Sequence, residues 1–161
     1  MIILNGDLLE TSFQVIAHQV NCHGVMGGGV ALQIKNKYPD VYNEYRDLCC
    51  KKCSKDLLGT AQIVEYNETL EYKVFFNVFG QDEYGRGEVQ TNYEALKSGF
   101  VAAIERFRGQ HNIPHFLKIV IAIPYKIGCG LAGGDWGKVK DILESLEKTE
   151  NATFVAYKYE G

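Results

Sequence analysis

The amino-acid sequence predicts an α/β fold of three layers, α/β/α, with helices on both faces of a central mixed sheet. Two observations predict it. Short apolar runs alternate along the chain with longer segments whose apolar residues recur every three to four positions. The strongest run, Leu117-Lys118-Ile119-Val120-Ile121-Ala122-Ile123, is nearly continuous, as expected of a strand buried on both faces. At 161 residues, 46% hydrophobic and 23% charged, the chain fits one domain over 1–161 and excludes a disordered or collagen-like polymer.

Each element has a local reason. Residues 1–4 and 15–20 are short apolar strands, too short for helices. A helical pattern opens at Val30 and ends before Pro39, and a second helix covers 40–50, with Val41, Tyr45 and Leu48 on one face. Residues 60–66 and 72–78 are strands joined by a turn at Asn67-Glu68-Thr69. A long helix runs from Asn92 to about Arg108, capped by Asn92 or Thr91, with Tyr93, Leu96, Phe100, Ala103, Ile104 and Phe107 as its buried stripe. After the strand at 117–123 come a helix over 135–147, which Asp135 would cap, and a final strand over 153–159.

Glycine is in excess, at 17 of 161 residues, and it is clustered. Gly24, Gly27, Gly28 and Gly29 follow the second strand and precede a helix; Gly128, Gly130, Gly133 and Gly134 do the same after the strand at 117–123, with Gly137 just inside the helix that follows. Turns at the carboxyl ends of strands are where open α/β sheets bind ligands. Glycine lets backbone N–H groups converge on an anion, and the positive end of the following helix adds to the attraction. Two such turns point to a diphosphate gripped from both sides. There is no G-x4-G-K-[ST] loop, and no G-x-G-x-x-G follows the first strand, so neither a P-loop nor a dinucleotide Rossmann site fits.

Gly6-Asp7-Leu8, Asn21-Cys22-x-Gly24-x-Met26-Gly27-Gly28-Gly29-Val30-Ala31, and Ile127-Gly128-Cys129-Gly130-Leu131 followed by Trp136 resemble a macrodomain, in family order and across essentially the whole chain. The resemblance is to the branch that holds terminal ADP-ribose glycohydrolases, the macrodomain of the DNA de-ADP-ribosylating antitoxin and the yeast-type ADP-ribose-1″-phosphate phosphatase. It implies ADP-ribose, or an ADP-ribosylated substrate, as the partner and no further cofactor. Asp7, with Gly6 and Leu8 beside it, would meet the adenine; Tyr157 or Tyr159 would pack near it. Gln19, Val20 and Asn21 would lead into the distal ribose site, with Asn21 bonding its hydroxyls. The loops Met26–Ala31 and Ile127–Gly133, the second including Cys129, Leu131 and Ala132, would enclose the diphosphate.

The glycohydrolases of this branch are associated with a lysine after the fourth strand and an aspartate in the second glycine loop; here Gln81 and Ala132 stand there. The catalytic candidates are therefore Asn21, His23 in the first loop, and His18, which matches a histidine of the phosphatase pattern. A neutral histidine can activate water near pH 7. The function expected is hydrolysis at the distal ribose, removing ADP-ribose from protein or nucleic acid or dephosphorylating ADP-ribose-1″-phosphate; the alternative is a reader that binds without turnover. A cysteine nucleophile at Cys22 or Cys129 would need a thiol acidified by a helix N-terminus.

Composition bounds the rest. A formal charge of −3 gives no field for duplex nucleic acid in general. No apolar run reaches the roughly eighteen residues of a membrane span, and Met1–Asp7 lacks a signal-peptide pattern, so the expected location is the cytoplasm. Of the five cysteines, Cys50-x2-Cys53 has no matching second pair, so they fit reduced thiols, with no metal expected.

Overall fold

The computed structural model describes residues 1–160. Strand β1 (Ile2–Asn5) leads through a 3-10 turn at Leu8–Glu10 into β2 (Val15–Gln19). Helices α1 (Gly29–Lys37), α2 (Pro39–Lys51) and α3 (Ser54–Leu57) precede β3 (Ala61–Glu68) and β4 (Glu71–Val78). Then follow α4 (Tyr93–His111), β5 (Ile119–Pro124), α5 (Trp136–Thr149) and β6 (Ala152–Lys158). The sheet order is β1-β6-β5-β2-β4-β3, with β3 antiparallel to β4 and every other pair parallel, so the sheet is mixed as expected.

Alternation along the strands sends side chains to two cores. Val15, Ala17, Phe76, Ile121 and Phe154 pack under α4 and α5; Ile16, Phe75 and Ala122 pack under α1 and α2 with Ile34, Tyr38 and Val41. The predicted stripe of α4 is buried except for partly covered Tyr93, and Asn92 caps the helix by accepting from Ala95 N at 3.0 Å. Asp135 caps α5 in the same way through Lys138 N at 3.1 Å.

The differences from expectation are local. The β3–β4 register pairs Glu68 with Glu71, so the hairpin turns at Thr69-Leu70, one to two residues later than the polar triplet suggests. Strand β5 begins at Ile119 because Leu117 N closes a turn onto Pro114 O at 3.1 Å. Helix α3 has four residues, too few for apolar periodicity to reveal.

The five parallel strands end on one edge, and both glycine loops leave from it: 20–28 after β2, and 125–134 after β5. The loop after β4, residues 79–92, leaves from the same edge. These three connections form the site.

Candidate functional site

A cavity of about 630 Å³ opens between the loops. Its walls include Gln19, Val20 and Asn21 from β2 and its end; Gly27, Gly28, Gly29, Val30 and Ala31 from the first glycine loop; and Ile127, Gly128, Gly130, Leu131 and Ala132 from the second. His18 lies in the wall as well. Thus most of the predicted ligand-binding positions converge on one space.

Backbone geometry explains why glycine occupies these loops. Gly29 has φ +56 and Gly128 has φ +74, both in the left-handed region. At Gly128 a Cβ would also stand 3.0 Å from Gln19 Oε1. The N-cap of α1 is Gly28, which offers no side-chain acceptor, so the first-turn amides of α1 have no side-chain cap. Among the described residues, no protein acceptor engages the N–H groups of Gly130, Leu131 and Ala132. Arg86 and Lys126 line the cavity, and among the described residues no carboxylate does. Unpaired amides, a helix N-terminus and two cations together favour an anion.

The glutamines form a fixed bracket across β2 and β4. Gln19 Nε2 donates to Gln81 Oε1 at 2.8 Å and to Thr91 Oγ1 at 2.9 Å, and Gln81 Nε2 donates to Glu83 O at 2.7 Å. Gln81 and Ala132, where the resemblance would put the branch's lysine and aspartate, both lie in the wall. An amide held at both ends and a methyl group supply no nucleophile or base.

Other predicted residues take different positions. Asn21 lines the cavity but is the staple of its own loop. Its Oδ1 accepts from His23 N and the Tyr45 hydroxyl, both at 2.9 Å, and its Nδ2 donates to Val25 O at 2.7 Å. One Nδ2 hydrogen remains for a ligand. His23 is outside the wall: its Nε2 lies 3.0 Å from Asp82 Oδ1 and 3.1 Å from Glu83 Oε1 on the exposed side of the loop. These three groups lie within 4.8 Å of one another, a donor set that could hold a divalent cation, and the direct contacts of the imidazole with the two carboxylates account for the same arrangement.

Met26 is buried beneath the loop against the cluster of Tyr45, Leu57 and Phe79, because its long apolar side chain fills the core there. Cys129 packs on the α4/α5 core, and Gly133 lies against Glu88 and Val89; neither lines the cavity.

Gly6, Asp7, Leu8 and Tyr157 cluster at the neighbouring ends of β1 and β6, beside the cavity and not in its wall. Asp7 Oδ1 accepts from Leu9 N at 2.9 Å, Leu8 is buried, and the Tyr157 hydroxyl lies 2.8 Å from Thr11 Oγ1. Tyr159, the other candidate, is solvent-exposed.

Neither Cys22 nor Cys129 meets the condition for a nucleophile. Cys22 and Cys129 lie several residues before α1 and α5, outside the reach of a helix N-terminus. Burial, reinforced by Asp82, pushes the Cys22 thiol up to about 12; burial and Asp135 push Cys129 to about 11. Both are inert packing groups.

Tyr84, Gly85 and Arg86 from the β4 loop, and Tyr125 and Lys126 after β5, also line the cavity. No sequence motif named above includes them. The available signal was the slot: Tyr84-Gly85-Arg86-Gly87 is a glycine-flanked arginine leaving the same sheet edge.

Residues 17–143 match the Macro domain family. The DNA ADP-ribosyl glycohydrolase of Thermus aquaticus is 31% identical over 159 residues, and the chain covers 40% of that protein's length. The Mycobacterium tuberculosis protein of that name is 30% identical over 141 residues, with 37% of it covered. The ADP-ribose 1″-phosphate phosphatase of Saccharomyces cerevisiae is 27% identical over 172 residues, with 96% of each chain covered. The macrodomain of M. tuberculosis DarG superposes with a TM-score of 0.74 at 27% identity, over 97% of both chains. With its sheet order and its two glycine loops set around one cleft, this chain belongs to the Macro domain family.

Proposed function

We propose that the protein binds ADP-ribose between its two glycine loops and hydrolyses the bond at the distal ribose. It would release ADP-ribose from a modified protein or nucleic acid, or phosphate from ADP-ribose-1″-phosphate. The observation that carries this reading is a cavity of about 630 Å³ lined by two glycine loops, two cations and no carboxylate. Such a space fits a nucleoside diphosphate sugar better than a neutral ligand. The names of the relatives, glycohydrolase and phosphatase, support turnover.

The chain's groups divide the work. The loop amides and the α1 N-terminus hold the diphosphate, with Arg86 and Lys126 balancing its charge. Asn21 offers its free N–H to the distal ribose. A water gives its hydroxyl to the distal centre as the bond to the leaving group breaks, and the water's other proton ends on the leaving group or solvent. Catalysis then rests mainly on positioning, which can supply several powers of ten.

Gln81 and Ala132 favour a second reading, a non-catalytic ADP-ribose reader, since neither side chain can act as nucleophile or base. One experiment separates the two. The protein is incubated with ADP-ribosylated DNA, ADP-ribosylated protein and ADP-ribose-1″-phosphate, with calorimetry on ADP-ribose, ADP and AMP alongside. Turnover of any substrate above buffer supports the hydrolase, binding of ADP-ribose without turnover supports the reader, and equal weak binding of all three nucleotides rejects both.

A further inference from the structure

His23, Asp82 and Glu83 converge on the outer side of the loops, and none of the three lines the cavity. His23 Nε2 faces Asp82 Oδ1 at 3.0 Å and Glu83 Oε1 at 3.1 Å. A ring nitrogen carries at most one hydrogen, which can aim at one carboxylate. The other then faces an acceptor and a like charge. Among the described residues no Lys or Arg pairs with Asp82 or Glu83. Their charge reaches the Cys22 thiol, which burial raises first and Asp82 and Glu83 raise further. The backbone brings these groups together by bonds of its own. Cys22 N donates to Asp82 O at 3.0 Å, His23 N donates to Asn21 Oδ1 at 2.9 Å, and Gln81 Nε2 donates to Glu83 O at 2.7 Å. The three donor atoms are thus held close by two fastened loops, although their lone pairs repel.

We propose that His23, Asp82 and Glu83 bind one divalent transition-metal ion, which clips the first glycine loop to the loop after β4. Neighbouring ligands of an octahedral ion at about 2.1 Å stand about 3.0 Å apart, which matches the spacing around His23 Nε2. One imidazole and two carboxylates suit the range from Mn2+ to Zn2+, whereas Mg2+ and Ca2+ prefer oxygen alone. Three protein ligands leave the remaining positions to water. The loops joined by the clip both supply cavity wall, Asn21 and Val25 from one and Gln81, Tyr84 and Arg86 from the other. The ion itself lies outside that wall, so it steadies the loops and takes no part in the hydrolysis proposed above. Its ligands are 59 residues apart in the chain, which is why no sequence motif announces them. The inference does not depend on the ADP-ribose reading.

The test is calorimetry of EDTA-treated, nucleotide-free protein with ZnCl2, MnCl2, MgCl2 and CaCl2. Cys50→Ser and Cys53→Ser are included throughout, so that these exposed thiols hold no zinc. One site per chain is expected, with Zn2+ bound at about micromolar Kd, Mn2+ more weakly, and Mg2+ and Ca2+ at least about tenfold more weakly than Mn2+. His23→Ala, Asp82→Asn and Glu83→Gln should each weaken Zn2+ by about tenfold or more. His111→Ala removes another histidine paired with a carboxylate, Glu65 at 3.1 Å, and should change nothing. Thermal melts without metal establish that the variants fold. Bound Mn2+ should also broaden the NMR signals of the His23 ring and of the amides around residues 23 and 82. Zn2+ binding that survives all three substitutions reveals an adventitious ion only and overturns the proposal, as does a Kd above about 1 mM. Failure here leaves the ADP-ribose reading standing, and failure of ADP-ribose to bind leaves this site to be decided by the metal titration.

Discussion

Gly28 and Leu131 meet across the cleft, so that a Cβ on residue 28 would stand 2.6 Å from Leu131 Cδ1. The two glycine loops thus close on each other at this point. Residue 28 itself is in ordinary extended conformation, φ −157 and ψ 166, so contact and not backbone freedom selects glycine here.

Gly28→Glu should therefore reduce ADP-ribose affinity by at least about a hundredfold in calorimetry, since it crowds Leu131 and places a carboxylate against the diphosphate. Gly28→Ala should cost far less, because Leu131 is 46% exposed and its terminal methyl can swing away. Adding Leu131→Ala should recover the loss caused by Gly28→Ala and leave that caused by Gly28→Glu. Equal affinities of the glutamate variant and the parent protein would remove the cleft from consideration.

Arg108 is buried and ties the end of α4 to two other segments. Its Nη1 donates to Pro114 O and Leu117 O, each at 2.8 Å, and its Nη2 donates to Glu150 O at 3.0 Å and Asn151 O at 3.1 Å. Arg108→Met should destabilise the fold by about 3 kcal/mol or more in urea unfolding, because four carbonyls lose their donor at once. Arg108→Lys should recover only part of this, since an ammonium lacks the planar fork. ADP-ribose affinity should be unchanged in whatever fraction remains folded.

His18 makes stability depend on pH. Burial lowers its pKa from 6.5 to about 4, so between those values the unfolded chain binds a proton that the folded protein does not. The contribution is complete above pH 6.5 and is lost as pH falls toward 4. Urea unfolding at pH 7 and pH 5 should differ by about 2 kcal/mol from this group alone. His18→Asn, which cannot titrate, should flatten that part of the profile.

The thiols should label in order of exposure and acidity. Iodoacetamide at pH 7.5 should modify the exposed Cys50 and Cys53 and spare Cys22, which is buried and held up at about 12. Cys22→Ser should leave any turnover intact. Rapid native labelling of Cys22, followed by mass spectrometry, would contradict the burial that makes it inert.

The parts of the fold legible in the sequence are those that a local rule governs. The β5 run, the α4 stripe and the caps at Asn92 and Asp135 follow from apolar periodicity and from short polar side chains reaching orphan amides. The glycine loops were legible because their slot, after a strand and before a helix, recurs twice. His23 was not: whether a loop side chain faces inward depends on Asp82 and Glu83, about sixty residues further along the chain. Asn21 was visible as a site residue, but not the fact that Tyr45 and Val25 would occupy most of its hydrogen-bonding capacity.

The amino-acid sequence by itself determined the α/β/α layering and the two glycine turns that face an anion, because both arise from patterns within a few residues. Only the tertiary structure decided which side chains share the cavity with those turns. It turned His23 out to the acidic loop, locked Gln19 against Gln81, and tied His18 Nε2 through Asn77 and Gln62 to the backbone of Glu44. Such bonds join strands far apart in sequence. Their direction is set only when every donor and acceptor along the path has found its partner.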